Sequence, residues 1–136
     1  MVSNLKRKIK TKKLSTFLGI GLVFTLLFSF STNAFAMGYK GDPQVAFHTD
    51  ADVYSKSATT IDVIGKSPNS EGVTIELLKK GDSKFYKRID LDVVGNYKAS
   101  FSLKGLTSGK YDVHVLGGWG STYWKAELTH YLTVNR

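Results

Sequence analysis

Both tryptophans of this 136-residue chain fall within eight residues, Gly117-Gly118-Trp119-Gly120-Ser121-Thr122-Tyr123-Trp124. Large amphipathic rings set among glycines can stack on sugar rings or fill a partner's pocket, and glycine allows the backbone geometry that would present them. Trp119, Tyr123 and Trp124 are therefore the candidate binding residues, expected on a loop that joins the last two strands. The competing reading is structural, with Trp119 or Trp124 closing one end of the core.

Histidine and carboxylate chemistry has less to work with. The three histidines are His48, His114 and His130. Strand alternation puts His114 on the polar side of its strand and His130 on the apolar side, so the two are expected to point opposite ways and no metal cluster forms. In His48-Thr49-Asp50-Ala51-Asp52 the Asp-x-Asp pair offers oxygen ligands, but the glycine and bidentate glutamate of a calcium-binding EF-hand loop are missing. This segment reads as a solvated turn. No Gly-x-Ser-x-Gly elbow occurs, and Glu71, Glu76 and Glu127 would need a cleft that a flat, hundred-residue β domain seldom provides for glycoside hydrolysis. The expectation is a non-enzymatic protein without metal or cofactor.

The elements that must carry these residues are strands. Apolar and polar residues alternate from residue 59 onward, and no stretch of eleven or more shows a helical period. Val73, Ile75 and Leu77 share one face, as do Tyr97, Ala99, Phe101 and Leu103, and again Tyr111, Val113 and Val115. Phe85, Ile89, Leu91 and Val93 read as the inward face of a strand over 85–94, which Gly95-Asn96 would fold into a hairpin with the next strand. A single strand over 126–134 would put Leu128, His130, Leu132 and Val134 on one side. With an earlier strand over 45–54, and with 37–43 as a loose leader, about seven strands result. Lys79, Lys80, Lys84, Lys87 and Arg88 cluster around one hairpin, offset by Asp82, Asp90 and Asp92, and read as a solvated strand face that resists aggregation.

The segment Gly95-Asn96-Tyr97-Lys98-Ala99-Ser100-Phe101-Ser102-Leu103-Lys104-Gly105-Leu106-Thr107-Ser108-Gly109-Lys110-Tyr111-Asp112-Val113-His114-Val115 resembles the middle strands of bacterial extracellular immunoglobulin-like and fibronectin type III-like modules. The resemblance implies an immunoglobulin-like β-sandwich in which Tyr111 packs on the core and hydrogen-bonds backward to the backbone near Leu106. It covers about twenty residues and implies an architecture, since this fold hosts many functions. The chain departs from a strict immunoglobulin domain in having no cysteine pair and no tryptophan in the third strand.

Residues 1–36 carry the order of a secretory signal peptide. Six basic residues (Lys6, Arg7, Lys8, Lys10, Lys12, Lys13) precede the apolar run 17–30, and Ala34 and Ala36 stand at the −3 and −1 positions for cleavage before Met37. The alternative is an uncleaved anchor, because the uncharged stretch extends from 14 to 39. The chain carries 19 basic and 11 acidic residues, a formal net charge of +8. Six of the basic residues lie in the leader, which leaves 13 against 11 and a net of +2 over 37–136, no electrostatic basis for nucleic-acid binding. The absence of cysteine excludes disulfides, thiolate-ligated zinc and cysteine nucleophiles. In composition, the long lysine-rich leader and the lack of cysteine together resemble secreted proteins of Gram-positive bacteria.

Together these features predict one secreted, extracellular all-β domain over 37–136, a binding or accessory module whose partner is an extracellular protein or a cell-wall polymer. Contact with membrane is expected only through an uncleaved leader. The alternative from another class is a secreted effector, either a bacteriocin-like toxin or an inhibitor of an extracellular enzyme. Pairing through exposed sheet edges is a third reading.

Overall fold

The computed structural model describes residues 36–136. The predicted signal segment, Ala34 included, lies outside the described residues except for Ala36.

The alternating stretches form strands in two sheets. In chain order these are β1 (Tyr39–Gly41), β2 (Phe47–Thr49), β3 (Val53–Tyr54), β4 (Thr60–Ser67), β5 (Val73–Lys79), β6 (Lys87–Leu91), β7 (Gly95–Ser102), β8 (Gly109–Trp119), β9 (Thr122–Leu128) and β10 (Leu132–Val134), with one 3₁₀ turn at Pro43–Val45. The smaller sheet has the order β2-β4-β7. In the larger one β8 pairs with β5 on one side and with β9 and then β10 on the other. β6 extends that sheet beyond β5, β1 pairs antiparallel with β9, and β3 runs parallel to β10.

Burial follows the predicted faces. Ile75, Leu77, Tyr111, Val113, Val115, Phe101 and Leu103 are all at most 1% exposed, with Val73, Tyr97 and Ala99 close behind. β7 and β8 thus contribute every second residue to a shared core, as does β5, where Leu78 is also buried. The Tyr111 hydroxyl donates to the Thr107 carbonyl at 2.8 Å, the backward bond expected near Leu106. Tyr111→Phe keeps the ring but strips that carbonyl of its donor. A loss of about 1–1.5 kcal/mol is expected, read as a lower urea midpoint at unchanged slope. An unchanged midpoint would show that the bond contributes nothing.

Several pairings differ from the sequence-based expectation. β6 and β7 do not form a hairpin. β6 pairs with β5 and β7 with β4, so Asp92–Val94 carries the chain from one sheet to the other. Phe85 and Val93, expected inside, are 48% and 37% exposed, whereas Ile89 and Leu91 are partly buried against the core. Only the middle of that stretch, Lys87–Leu91, pairs with β5, and both outer residues fall beyond the pairing.

The stretch 45–54 also switches sheets, since β2 pairs with β4 and β3 with β10. Asp50 holds the corner. Its Oδ1 accepts from the Tyr54 hydroxyl at 2.6 Å and from the Asp62 amide at 2.9 Å. At the other end of the chain, the strand expected over 126–134 breaks at Thr129–Tyr131, where β9 gives way to β10. His130 leaves the apolar row and is exposed, while Leu128 and Leu132 stay buried. Residues 37–43 are no loose leader, because β1 pairs Tyr39 with Leu128 and the Thr49 amide donates to the Met37 carbonyl.

Candidate functional site

The aromatic segment is not a loop. β8 runs to Trp119 and β9 starts at Thr122, so only Gly120 and Ser121 turn the chain. Gly120 has φ +59° and Ser121 has negative φ, the pattern of a two-residue hairpin turn that needs glycine at its first central position. Gly117 is required for a different reason. A Cβ there would lie 2.8 Å from Val45 Cγ1, so its absence lets the 3₁₀ turn pack against β8. Asn69 braces the hairpin from the β4–β5 connection, donating from Nδ2 to the Gly118 carbonyl at 2.8 Å.

The three aromatic residues do not share one surface. Ala126 and Leu128 point into the core, so alternation along β9 puts Trp124 on the inner side and Tyr123 on the outer. Val113 and Val115 likewise assign Trp119 to the inner side of β8, beyond the end of the core. Trp124 is partly buried and packs against the core. Trp119 and Tyr123 are 56% and 68% exposed, on opposite faces of the hairpin tip.

A second group lies on the outer face of the larger sheet. The registers align Arg88, Glu76, His114, Glu127 and Lys40 in one row across β6, β5, β8, β9 and β1, with charge alternating along it when His114 is protonated. Arg88 Nη1 stands 3.9 Å from Glu76, and Lys40 Nζ 3.2 Å from Glu127 Oε1. His114 Nε2 faces two carboxylates, Asp112 Oδ2 at 3.2 Å and Glu127 Oε2 at 3.5 Å. Asp112 is itself held in place, because its Oδ1 accepts from the amides of Val113 at 2.8 Å and Leu128 at 3.2 Å.

One donor atom each from Asp112, His114 and Glu127 lies within 4.8 Å of the others. They sit at a depression of about 380 Å³ to which His130 also contributes. His114 and His130 therefore line the same depression, contrary to the expected opposition, because the break after β9 turns His130 outward. His48 is exposed on β2, and Asp50 is committed to the corner described above.

The basic cluster disperses into local contacts. Lys79 donates to Thr107, Lys87 to the Ser102 carbonyl, and Lys80 lies 5.2 Å from the centre of the Tyr131 ring. Hydrogen bonds from Arg88 and Thr74 hold the Asp90 carboxyl below its ordinary range.

Asp112 and Glu127 were not singled out with His114 from the sequence, although the signal is there. Asp112-x-His114 puts both side chains on one strand face. A turn placed at Gly120-Ser121 then pairs residue 114 with 127 by counting outward. Treating 117–124 as a loop hides that register.

Comparison with protein families, with curated proteins and with solved structures finds no match to the chain.

Proposed function

We propose that this chain is a secreted, non-enzymatic binding module of immunoglobulin-like or fibronectin type III-like architecture, exported by a Gram-positive bacterium to act at or outside the cell surface. It recognises an extracellular protein or a cell-wall polymer through the β8–β9 hairpin tip. The observation that carries this reading is the exposure of Trp119 and Tyr123, 56% and 68%, on a hairpin braced by Asn69. Leaving a large ring in water forgoes a burial free energy of about 2 kcal/mol, which a partner surface can recover. Holding the ring on paired strands also reduces the ordering cost of binding. The architecture is supported by the sheet order β2-β4-β7 beside β6-β5-β8 and by the backward bond of Tyr111.

Tryptophan emission separates recognition from structure. Trp119 should emit at long wavelength and be quenched by acrylamide, whereas Trp124 should be protected. Titration with cell-wall polymer and surface-protein fractions should shift the quenchable component. Trp119→Ala should weaken binding at least about tenfold with little change in stability, and Trp124→Ala should chiefly lower stability. Equal binding by the wild type and Trp119→Ala would remove the hairpin tip as the recognition surface.

A further inference from the structure

We infer that Asp112, His114 and Glu127 form a binding site for a first-row divalent cation of the zinc class on the outer face of the larger sheet. The site is distinct from the aromatic hairpin tip and does not depend on it. Its donors come from two paired strands, so the backbone register holds them and no loop has to close. His114 offers Nε2, Asp112 offers Oδ2 and Glu127 offers Oε2.

The spacing suits coordination. Two donors bound tetrahedrally to one zinc at about 2.0–2.1 Å are about 3.3 Å apart. The imidazole nitrogen lies 3.2 Å from one carboxylate oxygen and 3.5 Å from the other. Nε2 carries at most one proton, which serves one carboxylate at full strength, whereas a dication would neutralise both. Asp112 is already oriented for this role by the amides of Val113 and Leu128 on its other oxygen, the outer hydrogen bonding that ligating carboxylates use.

The donor types choose the metal. One imidazole with two carboxylates is a mixed nitrogen and oxygen set, which favours zinc and its first-row neighbours over calcium or magnesium. Three protein ligands leave coordination open to solvent at the depression. Lys40 opposes the cation electrostatically, standing on the remaining oxygen of Glu127 at 3.2 Å. Its removal should therefore tighten binding, an effect with no counterpart if these residues only form ion pairs.

The test is calorimetric titration of the metal-stripped full chain with zinc chloride, for which residues 1–35 supply no His, Cys, Asp or Glu. Saturable one-to-one uptake is expected. His114→Ala and Glu127→Gln should each weaken it at least about tenfold, and Lys40→Ala should tighten it about threefold. His48→Ala should leave it unchanged. Circular dichroism establishes that each variant is folded, and in the wild type zinc should shift the ring resonances of His114 but not those of His48. The last measurement keeps the proposal testable if His114→Ala does not fold. Absence of one-to-one uptake, unchanged affinity in His114→Ala, or a response at His48 in place of His114 would overturn it.

Discussion

Replacing Gly72 by alanine should lower the thermal midpoint by at least about 12 °C or prevent folding, the largest effect expected from adding a single methyl group. Gly72 leads into β5 with φ +74°, a left-handed conformation that L residues rarely adopt. A Cβ at this position would overlap the Leu91 carbonyl oxygen, with the Leu91 carbonyl carbon at 2.8 Å and Asp92 Cα at 3.1 Å. These atoms are backbone at the end of β6, and no rotamer change relieves the clash. The Val73 to Leu91 pairing must open instead. The combined cost is about 3–5 kcal/mol, in the range reserved for strain and steric failure, and each kcal/mol moves the midpoint of a domain this size by about 4–8 °C.

Gly105→Ala is the matched control. Gly105 has a similar φ, +82°, but a Cβ there meets nothing within 4 Å. It should lose only the dihedral preference, about 1–2 kcal/mol before any gain from a stiffer unfolded chain. Equal midpoints for the two variants would show that the β5–β6 junction yields to the added methyl.

The second large effect is expected at Tyr97, and it has the opposite sign. The Tyr97 ring lies across Gly65 in the β4–β7 pairing, where a Cβ on residue 65 would stand 2.5 Å from the hydroxyl and 2.7 Å from Cζ. The hydroxyl is buried and has no hydrogen-bond partner among the described residues. A buried polar group without a partner costs about 1–3 kcal/mol. Tyr97→Phe should therefore stabilise the protein by about 1–2 kcal/mol near neutral pH, provided the ring keeps its place.

The same burial pushes the Tyr97 phenol up to about 12 from its ordinary value of 10.0. In the folded state the phenol keeps its proton at pH values where the unfolded chain has lost it. Stability is therefore unaffected by this ionisation below pH 10 and falls as pH rises from 10 through about 12, because the buried site penalises the charged phenolate. The fall amounts to about 2.7 kcal/mol across that window. Tyr97→Phe should flatten the alkaline fall in stability between pH 10 and 12. Tyr54, whose phenol is pushed up by burial and then by its bond to Asp50, adds to the remaining fall with the same sign. Urea unfolding of both proteins at pH 7 and across pH 9 to 12 checks both effects. A variant destabilised at pH 7, or one with an unchanged alkaline slope, would contradict them.

Much of the core is legible in the sequence. Val73, Ile75 and Leu77, like Tyr111, Val113 and Val115, alternate with polar residues, and their burial follows from the two-residue repeat of a strand. The backward bond of Tyr111 was legible from Leu106, Gly109 and Tyr111 by resemblance. Strand partners were not. Gly95-Asn96 looks like a hairpin turn between two amphipathic strands, yet β6 and β7 belong to different sheets, since a sandwich connection shows the same punctuation.

The candidate sites divide along the same line. Trp119 and Tyr123 were identified by type and glycine context, but their separation onto two faces required knowing that the chain stays extended through 117–119. Glu127 meets His114 only because the turn at Gly120-Ser121 sets a register that joins residues thirteen apart. The β class and the inward-facing residues follow from alternation, which is a property of one strand and its solvent, and the aromatic candidates follow from residue type and glycine context. Which strands pair, where 45–54 and 126–134 break, and which charges meet follow from how two sheets cover each other, a relation between distant segments that no single strand's pattern carries.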